Sequence, residues 1–201
     1  MKVHEFLDGL ASPSPTPGGG GASALLCSMG AALVSMVCHL TIGKKGYEES
    51  EPELKKILEE AEILRKKAEE LIDKDTNAFN EVMASYKTPK DKPQRADMIQ
   101  AALKNATATP LEVAGLGVRV MELSKIIAFR GNINSVSDAG VAMLAADAGV
   151  RGALLNIRIN LKSVEDEAFK GKMLTEIHEL EEKSNGLREE VSGTVSFKLA
   201  N

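Results

Sequence analysis

The sequence predicts an all-α fold: a multi-helix bundle of long antiparallel helices packed around a single core, with residues 1–201 as one domain. Two observations carry that expectation. Apolar residues recur at three- and four-residue steps through most of the chain, the period of a helix that buries one stripe. Aromatic residues make up only 3% of the chain and Trp is absent, so the core must be built from Leu, Ile, Val, Met and Ala, which suit helix packing better than aromatic-rich strands. No stretch alternates like a strand, and no internal repeat of roughly 20 to 50 residues is present. At this length a compact fold buries roughly 70% of the surface that the unfolded chain exposes.

The elements follow in order. From Ala22, the residues Leu25, Leu26, Met29, Ala32, Leu33, Met36 and Val37 mark a first long helix. It should stop near Gly43, where Gly43-Lys44-Lys45-Gly46 reads as a basic loop. A second helix begins after Ser50, with Pro52 acceptable in its first turn. Its stripe runs from Leu54 through Ile57, Ala61, Leu64, Ala68, Leu71 and Phe79 to Met83, and its outer face alternates Lys with Glu. Pro89 and Pro93 break the chain. A segment from Ala96 to Ala106 follows, and Pro110 kinks or restarts a helix through Leu111, Ala114, Val118, Met121 and Ile126. After the polar turn at Arg130-Gly131-Asn132-Ile133-Asn134, Ser135 and Asp138 resemble a capping box for a helix to about Ser163. A last helix carries Phe169, Met173, Ile177, Leu180, Ser184, Leu187, Val191 and Val195 in a near-heptad seam. That seam suits antiparallel packing within the bundle or against a second subunit.

Composition excludes some partners. A net charge of −4 and so few aromatics disfavour nucleic acid, whose binders are usually basic and add stacking platforms. No uninterrupted apolar run reaches the ~20 residues of a membrane helix, and Met1 to Leu10 does not resemble a signal peptide. Cys27 and Cys38 fall on one helix roughly 16 Å apart, too far to bridge. A soluble, cytoplasmic protein with reduced thiols is expected. His4, His39 and His178 show no metal-ligand spacing, so no metal is expected.

Three features break the helical pattern. Ser12-Pro13-Ser14-Pro15-Thr16-Pro17 leads into Gly18 to Gly21, placing a glycine-rich loop at the mouth of the first long helix. Such an entrance either receives an anion or carboxylate, or serves tight packing; it lacks the Lys-Ser or Lys-Thr of a P-loop. Asp75 lies four residues from both Leu71 and Phe79, inside an apolar stripe. A carboxylate there either moves protons or ties down a helix N-terminus or an Arg such as Arg95. The run from Gly131 to Asp138 is dense in donors and acceptors, which either read a planar amide-rich ligand or merely cap a helix. Asn156 and Asn160, four apart among apolar residues, require partners.

Four stretches together resemble the formiminotetrahydrofolate cyclodeaminase/methenyltetrahydrofolate cyclohydrolase family over nearly the whole chain. They are Phe6 to Gly21 with its Ser-Pro-Thr-Pro-Gly-Gly-Gly, and Met36-Val37 leading to Leu40-Thr41-x-Gly43-Lys44-Lys45. The others are Asp73-x-Asp75-x-x-Ala78-Phe79, and Gly131-Asn132-x-Asn134-x-x-Ser137-Asp138 with Asn156-x-x-x-Asn160-Leu161. The resemblance implies an all-α homodimer that binds a folate derivative and uses no cofactor beyond tetrahydrofolate as the carrier. The expected activity is cyclodeamination of 5-formiminotetrahydrofolate to the 5,10-methenyl form with loss of ammonia. The alternative is hydrolysis of the methenyl form to 10-formyltetrahydrofolate. Both pass through a tetrahedral carbon between two nitrogens and require a proton shuttle. That shuttle is assigned to Asp75 or Asp138, with Lys45 as a nearby cation. Thr16, Gly18, Gly19, Gly20, Lys44, Asn132, Asn134, Ser137, Asn156 and Asn160 would bind the substrate. A different class of reading, a non-catalytic helical dimerisation protein, would use the same polar residues only to stabilise an interface.

Overall fold

A computed structural model describes residues 2–201. Six α-helices follow one another: α1 (Val3–Leu10), α2 (Gly19–His39), α3 (Glu51–Lys87), α4 (Arg95–Arg130), α5 (Val136–Leu161) and α6 (Glu167–Ala200). One 3-10 turn, Ile133–Ser135, precedes α5, and no strand occurs among the described residues. The buried side chains join in one cluster, with Leu54, Leu71, Met121, Leu123, Ile127, Met143, Leu154 and Ile157 among its largest fully buried members. α2, α4 and α5 pack on one another at its centre. α3 lies against α2 and α4, while α6 lies against α4 and α5.

Local chemistry explains most boundaries. Pro52 sits in the first turn of α3, where its missing N–H costs nothing. Thr88 to Gln94 separates α3 from α4, and Arg95 closes that corner by donating to the Thr88 carbonyl at 2.9 Å and the Tyr86 carbonyl at 3.2 Å. Pro110 lies within α4, which continues past it as one helical element rather than restarting. The seam of α6 is buried at Met173, Ile177, Ser184, Leu187 and Val191 and packs within the bundle.

Four readings require correction. Gly19, Gly20 and Gly21 belong to the first turn of α2 rather than to a loop, with Gly18 as its N-cap. The N-terminal turn has free N–H groups in any case, so weak helix formers are tolerated there. α1 was not anticipated from sequence. Ser135 makes no side-chain capping bond; the 3-10 turn intervenes, and Asn132 accepts from the Asn134 N–H instead. Finally, α2 and the segment Ile133–Leu161 are long and apolar enough by length and composition to cross a membrane, although half or more of each apolar window is buried in the bundle. Their Ser, Gly and Ala residues keep the average apolar without forming an unbroken run.

Those small residues set how closely the central helices approach. α2 and α5 run antiparallel, with Gly30 against the Ala142 carbonyl and Gly149 against Cys27 and the Ser23 carbonyl. A side chain at Gly149 would overlap the Cys27 sulfur, so the pair fits only with glycine there. Cys27 and Cys38 are free and buried, and burial pushes both thiols up to about 12.

Candidate active site

The N-terminus of α2 lacks a capping side chain of its own, because Gly18 is the N-cap. α3 supplies one. Asp75 Oδ2 accepts from the Gly21 N–H at 3.0 Å, a carboxylate placed at the positive end of a helix dipole. The carboxylate reaches that position because Gly20 has no side chain; a methyl group at Gly20 would overlap it. The tie-down role open in the sequence is therefore realised at a helix N-terminus and not at Arg95. Burial nevertheless holds the Asp75 carboxyl above the usual aspartate range, with the Gly21 N–H pulling weakly the other way.

A cavity of about 350 Å³ opens beside this contact. Pro15, Thr16, Gly18, Gly19 and Gly20 form one wall, and Asp75, Ala78, Phe79 and Val82 of α3 form the next. Leu103 and Ala106 of α4, with Asn156, Ile159 and Asn160 of α5, complete it. Among the described residues, Asp75 is the only charged one in this lining. Asn156 donates its amide N–H to the Gly152 carbonyl at 2.8 Å, and Asn160 donates to the Ala106 carbonyl at 2.9 Å. Among the described residues neither Oδ1 receives a donor, so two acceptors and one carboxylate remain for a ligand. Volume, apolar walls and a few convergent polar groups are those of a small-molecule site.

The rest of the predicted set lies elsewhere. Asn132 is buried and joins the α4–α5 turn to the chain after α2. Its N–H donates to Thr41 Oγ1 at 2.9 Å, its Nδ2 to the Leu40 carbonyl at 3.1 Å, and its Oδ1 accepts from Lys44 Nζ at 2.8 Å. The Ile133 N–H donates to Tyr47 Oη at 2.9 Å. Asn134 and Ser137 are exposed, Asp138 is half-buried in the first turn of α5, and Lys45 is exposed beside Lys44. This cluster surrounds the C-terminal end of α2, whereas the cavity surrounds its N-terminal end. The 21 residues of α2 separate the two by roughly 30 Å. Within one chain, Thr16, Gly18, Gly19, Gly20, Asp75, Asn156 and Asn160 come together, while Lys44, Lys45, Asn132, Asn134, Ser137 and Asp138 form a second group. Lys45 is not near Asp75.

A family model described as formiminotransferase-cyclodeaminase matches residues 2–179. The chain belongs to the formiminotransferase-cyclodeaminase family. Among its relatives, a methenyltetrahydrofolate cyclohydrolase of Methylorubrum extorquens is 48% identical, across 98% of this chain and 97% of that protein. A formimidoyltransferase-cyclodeaminase of Sus scrofa is 34% identical across 89% of this chain. The chain spans about a third of that longer protein, 34% of its length. The crystal structure of formiminotetrahydrofolate cyclodeaminase from Thermotoga maritima superposes with a TM-score of 0.92 at 34% identity, covering 99% of this chain and 98% of that one. The helical fold is thus the fold of this family.

The apolar walls were the part of the site that sequence reasoning missed. Ala78, Phe79 and Val82 stand three, four and seven residues beyond Asp75, so they share its helical face. That spacing was available in the sequence, but it read as core.

Proposed function

We propose that the chain is a folate one-carbon enzyme that hydrolyses the methenyl carbon of 5,10-methenyltetrahydrofolate to the 10-formyl form. The observation that carries this reading is a cavity whose single charge is the Asp75 carboxylate. The methenyl group is a delocalised cation between two nitrogens, and a desolvated carboxylate beside it stabilises it and orders a water. Asp75 takes a proton as that water adds to the methenyl carbon. It returns a proton to N5 as the N5–carbon bond breaks and the carbonyl forms; one proton is released overall. Asn156 and Asn160, through their free Oδ1 atoms, accept from the pterin's N–H groups.

Identity of 48% across nearly the full length of both chains favours hydrolysis over cyclodeamination. The 0.92 structural match to a cyclodeaminase keeps the second reading alongside it. There the formimino carbon is attacked by N10 and ammonia leaves, and the same carboxylate serves the departing amine. Absorbance of the methenyl chromophore separates the two. Hydrolysis accelerates its loss to 10-formyl product, and cyclodeamination produces it from the formimino substrate. No change from either substrate would leave the non-catalytic dimerisation protein as the better account. The active form is expected to be a homodimer.

A further inference from the structure

Pro110 interrupts the hydrogen-bond ladder of α4 far from either end of that helix. Proline has no backbone N–H, and its ring crowds the carbonyl four residues earlier. That carbonyl belongs to Ala106, which is buried and lines the cavity. A buried carbonyl without a donor is costly. The missing donor comes from another helix: Asn160 of α5 gives its Nδ2–H to the Ala106 carbonyl at 2.9 Å, from 54 residues away in the sequence.

This bond decides which way the Asn160 side chain faces. A carboxamide has one donating end and one accepting end, and a carbonyl takes only the donor. With Nδ2 on Ala106, Oδ1 is the free end of a side chain that lines the cavity. Asn156 is held differently. It donates to the Gly152 carbonyl at 2.8 Å, four residues back in its own helix, where a regular ladder already sends the Asn156 backbone N–H. That bond needs no interruption and ties α5 to nothing else. Asn160 instead grips a carbonyl that a proline has released, and it joins α5 to α4 at the cavity wall.

We infer that Pro110 is a positioning residue of the cavity: by releasing the Ala106 carbonyl from the α4 ladder, it fixes the Asn160 carboxamide with its oxygen presented to the ligand. The site thereby selects a ligand edge that carries N–H donors. Pro110 is itself buried outside the lining of the cavity, so it acts through Asn160. Any other residue at 110 returns a backbone N–H to the Ala106 carbonyl and lets that carbonyl turn back along the helix axis. The Asn160 amide then loses its fixed partner, and its two ends become interchangeable toward the ligand. That the selected edge is a pterin's rests on the folate reading; the orientation of the amide does not.

Two variants test it. Pro110→Ala restores the N–H, and Pro110→Val restores it while staying closer to the volume of the ring. In nitrogen-15 spectra the Asn160 side-chain amide, identified by its loss in Asn160→Ala, should show one proton shifted downfield by its bond, and that proton should move upfield in both variants. KM for the folate turned over, 5,10-methenyl- or 5-formiminotetrahydrofolate, should rise by up to about tenfold with kcat little changed. Asn160→Ala should raise it by a similar factor, and Pro110→Ala/Asn160→Ala no further, because both changes remove one interaction. A proline that served only packing would give effects that multiply, depress kcat, or leave the amide proton unmoved, and any of these overturns the proposal. Failure of both variants to fold would overturn it as well. A protein with no folate turnover whose Asn160 proton still moves in both variants would uphold the positioning and dismiss the folate reading. Folate turnover with an unmoved proton would do the reverse.

Discussion

The two ends of α2 are built on opposite principles. At the C-terminal end, Asn132 spends its N–H, its amide and its carbonyl oxygen on Thr41, Leu40 and Lys44, and the turn is locked. At the N-terminal end, Asp75 makes one bond to Gly21, and Asn156 and Asn160 each hold back an acceptor. One end is satisfied and structural, while the other keeps unspent capacity around a cavity. Saturation of hydrogen bonds, more than residue type, separates them: both are rich in Asn and glycine.

The largest effect should come from Asp75→Asn. It keeps an acceptor for Gly21 but removes the base, so turnover should fall by about 10²- to 10⁴-fold. Stability should not fall with it. Burial raises the folded-state value of Asp75, so its favourable contribution to folding is present at low pH and is lost as pH rises through that raised value. At neutral pH the variant's thermal midpoint should equal or exceed that of the wild type; a clear drop would mean that capping outweighs desolvation. In the wild type, the acidic limb of kcat/KM should lie above the ordinary aspartate range and disappear in the variant.

Gly20→Ala comes next. Its new methyl must displace the Asp75 carboxylate, which should cost about 1–3 kcal/mol of stability and lower turnover as well. Denaturant melts and the absorbance assay check both, and normal values for each would show that α3 yields freely. At the other end, Asn132→Ala should cost about 1–3 kcal/mol because it strands the Leu40 carbonyl and Lys44. Its signature is a lowered melting temperature, and an unshifted one would contradict the locked-turn description. The smallest effect is expected of Asn156→Ala, which should raise KM by roughly tenfold or less with kcat little changed. A loss confined to kcat would instead make the amide part of the chemistry.

Much of this contrast was legible in the sequence, for reasons that differ by residue. Asp75 stood out because a carboxylate four residues from Leu71 and from Phe79 has no cheap place in a helical stripe. Asn156 and Asn160 stood out on the same ground. The helix start at Pro52 and the seam of α6 followed from local rules alone. Asn132 did not, because its partners lie about ninety residues away, and Ser135–Asp138 imitated a cap that the 3-10 turn pre-empts. The spread of the candidate site over two ends could have been read: an unbroken helix from Gly19 to His39 lies between the glycine run and Lys44 and sets their separation. Grouping polar residues by chemistry concealed what counting residues along α2 would have shown.

The bond between Asp75 and Gly21 gives the molecule a built-in indicator. The backbone amide of Gly21 donates to the very oxygen whose protonation the proposed reaction requires. Its proton resonance should therefore shift downfield when Asp75 is ionised and return when Asp75 takes up a proton. One glycine signal in a nitrogen-15 spectrum would follow the charge state of the cavity through a titration or a turnover, with no label near the substrate.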